Sequence, residues 1–495
     1  MVPPRFGGGR RTAAHRHREF EYSCGGGDGA LPFRRGEVES QLCRLTWFLG
    51  VRQGLNGYRQ KFVPSLFAST MRSIGATPAR ENDGRQALFS THEEKGNPTM
   101  NRTAILLMGG LISFLVFSIP QSCAHAEELK VTPGLVIERC TIARDDKHHL
   151  AWPMVCIAAN GDLVCSYSVA DVHGGGTVPQ AVVRISKDQG RTWSEAIVVQ
   201  TLHQDQGEGF FFCRWVSRLQ DDSLLLVTEW TLWRPNPPGA PHDYWNDPEN
   251  GGSKYRGVWL YRSTDNGRSW TAPEKKNCTA VSLTMTQISD GSIFLGGSFY
   301  RTRNDSWRQV VYRSQDNGKT WSKPIVVLDD PKYCPNEGCI VEMPGGTLVM
   351  YERTEKDIGG GAIKMISDDG GQTWKGPFAA GRCTINGRVF ANRLSTGEVL
   401  VVHRVGNDNF GFFVESPAAA LAHVPYHAAT YKPPASSGGL IDVEHYRKRP
   451  DGGYGGWVEL PDGNIYAVNY ITDDAPKPQI RGYRLSRKVL LKAAP

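Results

Sequence analysis

The sequence lacks the features that mark zinc-binding and nucleic-acid-binding proteins. No two of its 11 cysteines are separated by two residues, so the CxxC pairs of structural zinc sites are missing. The formal net charge is only +7, and much of the excess lies in Arg-Arg and His-Arg-His-Arg runs within the first hundred residues. Such runs are typical of an exposed basic tail. We therefore expect neither a bound metal nor a nucleic-acid partner.

A long apolar run is also missing. The stretch from Ala104 to Pro120 is short for a membrane-spanning helix; it follows Met100-Asn-Arg102 and precedes Ala124-His-Ala126. A charged start, an apolar centre and an A-x-A site are typical of a secretory signal peptide. We predict a signal peptide at 100–126 and a secreted or periplasmic protein without stable membrane insertion. Residues 1–99 are then a disordered leader or a mis-assigned start.

One short pattern, S-x-D-x-G-x-[TS]-W, occurs four times, beginning at Ser186, Ser263, Ser314 and Ser367. Each copy follows a β-favouring run, which predicts a strand that ends in a turn. The aspartate can accept bonds from N–H groups of its own turn, and the glycine can adopt a positive φ. The tryptophan starts the next strand and can pack beneath the turn. We interpret the pattern as a structural clip of a hairpin rather than as a catalytic aspartate.

The spacing of the copies predicts the fold class. The last three are 51 and 53 residues apart, which is enough for one four-stranded blade. A unit of this length cannot bury its own apolar face, so several must pack side by side. The first gap is 77 residues, and its excess fits the Pro/Gly/Asn-rich stretch 234–253, a predicted surface loop. The sequence therefore predicts an all-β propeller.

With four such boxes, the chain resembles the sialidase (neuraminidase) superfamily of BNR, or Asp-box, repeat proteins. The resemblance covers about residues 131–485 and implies a six-bladed β-propeller with four Asp-box hairpins over residues 127–495. In that family the boxes lie away from the active site, and they also occur in proteins that are not sialidases. They therefore predict the fold more strongly than the activity.

A first candidate site lies in the segment Asn336–Arg353, which resembles a sialidase strand pair with a Glu followed about fifteen residues later by an Arg. By this resemblance Glu337 is the general base and Arg353 grips the substrate carboxylate through two parallel bonds. The alternative is a loop carboxylate and a surface cation. Cys334 and Cys339, which flank Glu337, are a candidate disulfide, since eight cysteines follow the predicted cleavage site of an exported protein.

A second candidate is Tyr454, in the Gly-rich segment Gly452–Gly463. The resemblance makes it the nucleophile, and the family is a known tyrosine exception among glycosidases. A neutral phenol suits a substrate whose own carboxylate would repel a carboxylate nucleophile. Because a phenol with a pKa near 10 attacks poorly unaided, Glu337 would supply the base. The alternative is a packing tyrosine in a turn.

The chain also departs from the family. Ala151 stands where an R-I-P motif normally supplies the first arginine of the triad, and the stretch Tyr466–Tyr470 lacks the glutamate that braces that arginine. Losing both partners together is coherent, because an unpaired buried charge is costly. Either Arg214 or Arg144 reaches in from another strand, or the substrate is a different acidic sugar.

The remaining roles stay open between pairs of residues. Arg404 and Arg388 compete to be the other carboxylate-binding arginine. For the general acid, Asp171 is the first choice, and His173 is a substitute that titrates nearer neutrality. Either Asp171 or His173 could equally be a solvated loop residue.

The predicted function is exo-hydrolysis of a terminal sialic acid or related acidic sugar, with retention and with no metal or organic cofactor. The partner is an acidic glycan; the sequence does not predict the oligomeric state. One rival is a hydrolase or lyase for uronic-acid polysaccharides on the same scaffold. The other is a non-catalytic glycan- or protein-binding propeller, in which Tyr454 and Glu337 lie apart.

Overall fold

The computed structural model describes residues 130–176, 179–202, 209–231, 257–300, 307–355, 361–381, 385, 387–405, 409–427, 436–441, 452–472 and 475–492. The predicted signal peptide, the residues before it and the predicted loop at 234–253 lie outside these ranges.

The described chain forms 24 strands in six antiparallel sheets of four strands each, arranged as a six-bladed β-propeller. This confirms the predicted fold class. Blade 1 is β2 (His149–Ile157), β3 (Leu163–Ala170), β4 (Gln180–Ser186) and β5 (Ile197–Thr201); blade 2 is β6 (Phe210–Arg218), β7 (Leu224–Thr231), β8 (Gly257–Ser263) and β9 (Glu274–Lys276). Blade 3 is β10 (Val281–Gln287), β11 (Ile293–Tyr300), β12 (Trp307–Ser314) and β13 (Ile325–Leu328); blade 4 is β14 (Pro335–Glu342), β15 (Leu348–Thr354), β16 (Ala362–Ser367) and β17 (Lys375–Ala380). Blade 5 is β18 (Phe390–Arg393), β19 (Val399–Val405), β20 (Asn409–Glu415) and β21 (Ser436–Leu440); blade 6 is β22 (Gly455–Glu459), β23 (Ile465–Ile471), β24 (Gln479–Leu485) and, from the other end of the chain, β1 (Val136–Ala143).

Blade 6 closes the ring. Its three consecutive strands come from the end of the described chain, and β1 pairs with β24 so that Val136 lies opposite Leu485. Both ends of the propeller chain are thereby fixed in one sheet, and no sheet of the described chain is left with only three strands.

Two short helices complete the described elements. α1 (Pro417–Ala420) follows β20 and begins at Ser416, whose hydroxyl accepts from the Ala419 amide; α2 (Arg487–Lys492) follows β24. None of the described helices combines the length and the apolar character that a membrane crossing requires.

Neighbouring blades cover each other's faces, which explains the composition of the strands. β7 and β23 are buried along their whole length, and so is β2 except for its last residue. A strand that is covered on both faces reads as a continuous apolar run, and alternation of apolar and polar residues disappears. The core therefore lies between blades.

Each Asp-box pattern forms the same turn. In the first, the Ser186 hydroxyl donates to Asp188 at 2.8 Å and accepts from the Gly190 amide at 2.8 Å. Asp188 also accepts from the amide and hydroxyl of Thr192, and the Trp193 indole donates to the Gly190 carbonyl at 3.2 Å. The serine, aspartate and glycine bonds recur in the boxes that begin at Ser263, Ser314 and Ser367. The aspartates are thus bonded within their own turns.

The innermost strands of the blades, β2, β6, β10, β14, β18 and β22, contact one another in a ring around the axis. Each leads into a hairpin with the same pair of backbone hydrogen bonds. The N–H of the first hairpin residue donates to the carbonyl of the fifth, and the carbonyl of the first accepts from the N–H of the fourth. The hairpins begin at Ala158, Leu219, Ile288, Met343, Leu394 and Leu460.

Candidate active site

The candidate site is built from one repeated position in the inner strands. This axial position lies five or six residues before the hairpin that follows each inner strand. Arg214 lies five residues before its hairpin. The residues that lie six before theirs are Trp152, Ser282, Glu337, Arg388 and Tyr454. In blades 1 to 4 the strand pairing shifts here by one extra residue. Such a bulge redirects a side chain out of the strand's alternation.

Three of these residues have a backbone that side-chain-bearing residues rarely adopt. The φ angles are 57° at Trp152, 62° at Ser282 and 50° at Glu337. A positive φ at a non-glycine residue costs about 1–3 kcal/mol and is found where function requires it. The bulges therefore place functional groups of different blades around one axis.

The structure brings together a phenol, a carboxylate and a guanidinium at the centre of this ring. The Tyr454 hydroxyl donates to Glu337 Oε2 at 3.3 Å, and Arg353 Nη1 donates to the Tyr454 oxygen at 2.9 Å. The same Arg353 nitrogen also donates to Glu337 Oε2 in a short bond. Its other terminal nitrogen pairs with Glu355 at 2.8 Å. Phenol and carboxylate are thus in hydrogen-bond contact, although their residues are 117 positions apart.

Two buried arginines lie next to this group. Arg214 is 1% exposed and forms a bidentate pair with Glu229, with N–O distances of 3.0 and 2.9 Å, and its Nη1 lies 4.0 Å from Glu337. Arg388 is fully buried and lies between two rings, with its guanidinium carbon 5.9 Å from the Tyr454 centroid and 5.7 Å from that of Trp215. These two cations therefore surround the site from within the protein.

Burial and the neighbouring arginines determine the protonation states of Glu337 and Tyr454. Burial raises the pKa of Glu337, but attraction to Arg353 and Arg214, the hydrogen bond from Arg353 and the charge of Arg388 outweigh it, so that its pKa lies below the ordinary value. Burial raises the pKa of the Tyr454 phenol, and Arg353 offsets this only in part. At neutral pH the site therefore holds a carboxylate, which can accept a proton, beside a neutral phenol, which can give one.

Arg404 covers the outer face of Tyr454. Its guanidinium carbon lies 4.3 Å from the ring centroid, and it donates to the Gly452 carbonyl at 2.6 Å and to the Tyr470 hydroxyl at 2.9 Å. Unlike Arg214 and Arg388, it is only partly buried, and the Arg353 side chain is 16% exposed. These two are therefore the cations that a ligand can reach.

Arg388 is held by main-chain groups rather than by a carboxylate. Its Nη1 donates to the Arg214 carbonyl at 2.8 Å and its Nη2 to the Pro153 carbonyl at 3.0 Å. Burial lowers its pKa to about 10. Arg404 and Arg388 were the alternatives for the second carboxylate-binding arginine. Arg404 is partly exposed, whereas Arg388 is fully buried.

Ala151 itself is completely buried, and the space beside it is occupied by aromatic rings. Trp152 packs edge-on against His173 at 4.8 Å and against Phe212 at 4.6 Å between centroids. Arg388 reaches this side of the ring from blade 5 and donates to the Pro153 carbonyl. Of the two arginines expected as alternatives here, Arg144 pairs with Asp146 and Arg214 lies 4.0 Å from Glu337.

The loop that holds Asp171 and His173 lies against blade 1 and blade 2. Val172 and Gly175 exchange backbone bonds, and the Phe211 amide bonds to the Gly174 carbonyl. The His173 ring contacts Trp152, as above, and the Asp171 carboxylate is about two-fifths exposed. Both residues are therefore at the rim, beside the rings that lead to Tyr454.

The candidate disulfide between Cys334 and Cys339 is wrong. Both are free thiols and both are buried. Cys334 Sγ accepts from the Trp307 amide at 3.2 Å, whereas Cys339 Sγ accepts from the Ala391 amide at 3.4 Å. The bulge at Glu337 lies between them and directs the two side chains to different blades.

Arg214 and Trp152 are the main axial residues that the motifs did not single out as site residues. Trp152 lies in the stretch that stands in place of the R-I-P motif, and Arg214 lies in none of the motifs. One signal in the sequence finds them: each lies five or six positions before a hairpin that leads from an inner strand to the next. The same count distinguishes Arg388 from Arg404, because Arg388 lies six positions before the hairpin at Leu394 and Arg404 lies after that hairpin.

A six-bladed ring of four-stranded sheets with Asp-box turns is the fold of a sialidase-like, BNR-repeat β-propeller. A family model for the BNR repeat-like domain matches residues 244–410. This match and the four turns confirm the predicted resemblance to the sialidase superfamily and its BNR repeats.

Several solved structures are similar to this chain at low sequence identity. A protein of unknown function from Dyadobacter fermentans is 22% identical, with a TM-score of 0.57, over 72% of this chain and 99% of that chain. A leech intramolecular trans-sialidase is 14% identical, with a TM-score of 0.49, over 70% of each chain. An alpha-L-arabinanase from Penicillium chrysogenum is 14% identical, with a TM-score of 0.47, over 71% of this chain and 99% of that chain. A comparison with curated proteins finds no match.

Proposed function

We propose that this protein is an exo-acting, retaining glycosidase for a terminal sialic acid or a related acidic sugar. The observation that carries the proposal is the contact of the Tyr454 phenol with an ionised Glu337, with Arg353 donating to both. A nucleophile and a base within hydrogen-bond reach are the minimum for covalent glycosidase chemistry. The contact argues against the non-catalytic rival, which expects the two groups to lie apart.

In the proposed reaction Tyr454 attacks the anomeric carbon while Glu337 takes the phenolic proton. The pKa of Glu337 is low enough for the carboxylate to be ionised, and the raised pKa of Tyr454 keeps the phenol neutral until it reacts. Asp171 is the proposed acid that protonates the leaving oxygen and later the base that activates water. The partly exposed Arg353 and Arg404 bind the carboxylate of the sugar.

A second candidate function is a hydrolase or lyase for uronic acids. It is favoured by Ala151, which leaves the first-blade side of the site without an arginine, and by the rings of Trp152 and His173 there. Arg353 and Arg404, the partly exposed cations, would then bind the carboxylate of a smaller acidic sugar. We also propose that the protein is exported, on the sequence pattern at 100–126.

The test is a panel of aryl sialosides and aryl uronides, together with uronic-acid polysaccharides on which a lyase would release unsaturated ends. We expect hydrolysis of an acidic aryl glycoside, and we expect Tyr454→Phe to lower kcat/KM by about 10³-fold or more. A fluorinated glycosyl fluoride of the active sugar should label the Tyr454 peptide, as read by mass spectrometry.

Tyr312→Phe is the matched control, because this buried tyrosine bonds to Thr279 in blade 3. It should leave kcat/KM unchanged. Release of unsaturated ends without labelling would replace the glycosidase with the lyase. If no acidic glycan is turned over, both the glycosidase and the lyase proposals are wrong.

A further inference from the structure

A second carboxylate, that of Glu355, lies beside the candidate active site directly after strand β15. Its Oε1 lies 2.8 Å from Arg353 Nη2. The other terminal nitrogen of the same arginine donates to the Tyr454 oxygen at 2.9 Å and to Glu337 Oε2. A single guanidinium therefore connects Glu355 with the proposed nucleophile and the proposed base.

The Oε1 atom of Glu355 is also held from a second side. Asn336 Nδ2 donates to it at 2.8 Å, and the Glu355 amide donates to the Cys334 carbonyl at 3.2 Å. Asn336 is 1% exposed, and within the described chain its side-chain oxygen has no hydrogen-bond partner. The only hydrogen bond that this buried side chain makes to a described residue thus goes to Glu355, and it fixes the position of the carboxylate.

The second oxygen of Glu355 is left for a ligand. Among the residues that the structure describes, none donates a hydrogen bond to Oε2, because both fixed contacts go to Oε1. The Glu355 side chain is 35% exposed, whereas that of Glu337 is 4% exposed. The site therefore presents a held carboxylate with one unoccupied acceptor atom.

The charge of Glu355 acts on the proposed nucleophile. Burial is the largest influence that raises the pKa of the Tyr454 phenol, and the charges of Glu337 and Glu355 raise it further. The charge of Arg353 acts in the opposite direction. Glu355 is thus near enough to the phenol to contact a sugar that Tyr454 attacks.

The chemistry of the unoccupied oxygen limits what can face it. An ionised carboxylate only accepts hydrogen bonds, and it repels a second carboxylate. A sugar hydroxyl can donate, and both classes of candidate substrate, sialic acids and uronic acids, carry hydroxyls beside their carboxylate. The sugar carboxylate is then expected beside Arg404, whose guanidinium covers the Tyr454 ring, and a hydroxyl beside Glu355 Oε2.

We propose that Glu355 determines which sugar the site accepts: Oε1 keeps Arg353 in place, and Oε2 accepts a hydrogen bond from one hydroxyl of the bound sugar. This inference rests on the proposed glycosidase function, which places the sugar at Tyr454. No bond is made or broken at Glu355, which acts on specificity alone. A sugar without that hydroxyl leaves a charged acceptor unpaired, and sites built around such a hydrogen bond reject the analogue.

Glu355→Gln is the variant that separates the two oxygens. Arg353 and Asn336 are both donors, so they retain the amide oxygen at the place of Oε1. The amide nitrogen then takes the place of Oε2 and cannot accept a hydrogen bond. Because a hydroxyl can still accept from that nitrogen, the test replaces the hydroxyl by fluorine, which cannot donate.

The first test measures kcat/KM for the active acidic aryl glycoside and for analogues in which one hydroxyl at a time is replaced by fluorine. At one position we expect the ratio of hydroxyl to fluorine substrate to be about 10-fold to 100-fold larger in the wild type than in Glu355→Gln. The inductive effect of fluorine is the same in both proteins and cancels in this comparison. An effect exerted only through Arg353 would lower kcat/KM for every analogue alike and leave the ratios equal.

Glu274→Gln is the matched control, because this exposed glutamate on β9 also pairs with a cation, Lys276, at 2.8 Å. It should reproduce the wild-type ratio at every position. Equal ratios in the wild type and Glu355→Gln at all positions would overturn the inference, whatever the overall activity.

The second test measures binding without turnover and separates this inference from the proposed function. Titration calorimetry compares free sialic acid, free hexuronic acids and their fluorinated analogues on the wild type and Glu355→Gln. We expect the wild type alone to discriminate against fluorine at one position. If it does so but no acidic glycoside is turned over, the role of Glu355 stands and the glycosidase proposal is wrong.

The converse result also decides between the two proposals. Turnover of an acidic glycoside with equal ratios in both proteins keeps the glycosidase and removes the role of Glu355. If the protein neither binds nor turns over any acidic sugar, both proposals are wrong.

Discussion

At the scale of single residues, Glu337 depends on its neighbours for its charge. It is 3% exposed, and burial alone would raise its pKa, yet the arginines around it reverse the direction. The proposed base is thereby kept ionised although it is buried. The same arginines make its ionisation sensitive to single substitutions.

Arg353→Met is expected to raise the pKa of Glu337, because it removes the charge and the hydrogen bond that lower it. The proposed mechanism needs the ionised form, so the acid limb of kcat/KM should move upward by about one to two pH units. Arg404→Met is the matched control: it removes the cation that lies over the Tyr454 ring and that we propose to bind the substrate carboxylate. It should raise KM and leave the limb in place. A limb that stays fixed in Arg353→Met would show that another group sets it.

The burial of Glu352, the neighbour of Arg353, leads to a prediction about the pH dependence of stability. It is fully buried, receives no hydrogen bond from any group in the described ranges, and burial raises its pKa well above the ordinary 4.5. A raised pKa contributes stability below about pH 4.5 that is lost as the pH rises. Glu352→Gln should therefore become more stable relative to the wild type from about pH 5 to about pH 8, by about 1 kcal/mol or more. Parallel stability curves for the two proteins, from denaturant titrations at several pH values, would contradict this.

At the scale of elements, the Asp-box turn is a local device with no part in the chemistry. Asp265 accepts from the Ser263 hydroxyl and from the amide and hydroxyl of Ser269. Burial is the largest single influence and raises its pKa, but these bonds together outweigh it, so the pKa of Asp265 is lowered. The stabilisation is thus present above the ordinary carboxyl pKa and is lost as the pH falls through the folded value.

Asp265→Ala is expected to lower Tm by about 2–4 °C at neutral pH, and to lower it less in acid, without changing kcat/KM. Thr264→Ala, at the exposed variable position of the same box, should leave Tm unchanged. A fall in kcat/KM beyond the fall in folded fraction would give this turn a catalytic role.

The elements also show what a sequence can and cannot foretell. The Asp boxes predict hairpins because the bonding groups are all within eight consecutive residues. Glu337 and Arg353 are found together because they sit on paired strands of one blade at a recognisable spacing. The bulges are not foreseen, since a positive φ at Trp152 or Glu337 is imposed by the packing of blades and not by local preference.

Contacts between blades are the other feature that the sequence does not predict. Arg388 meets Pro153 and Arg214 across the axis, from blades that are 174 to 235 positions away in the sequence. No local pattern reports such a contact. The candidate disulfide fails for the same reason, because nearness in sequence does not show that two cysteines face each other.

At the scale of the whole molecule, the ring is held closed by β1 on the edge of β24. Removal of residues up to Ala143 should expose that edge and leave blade 6 with three strands. We expect a lower Tm, loss of a single cooperative transition and concentration-dependent association through the open edge. A chain that starts at Lys130 keeps β1 and is the matched control. Identical thermal transitions and identical sedimentation of the two would show that closure adds nothing.

The same closure has a consequence for biosynthesis. The first propeller strand to leave the ribosome has as its partner the last strand to be made, with Val136 paired to Leu485. Five blades consist of consecutive strands and can form in order during translation, but the sixth waits for the end of the chain. The nascent protein therefore carries an unpaired strand throughout its synthesis, and any factor that handles such edges has that whole interval in which to act.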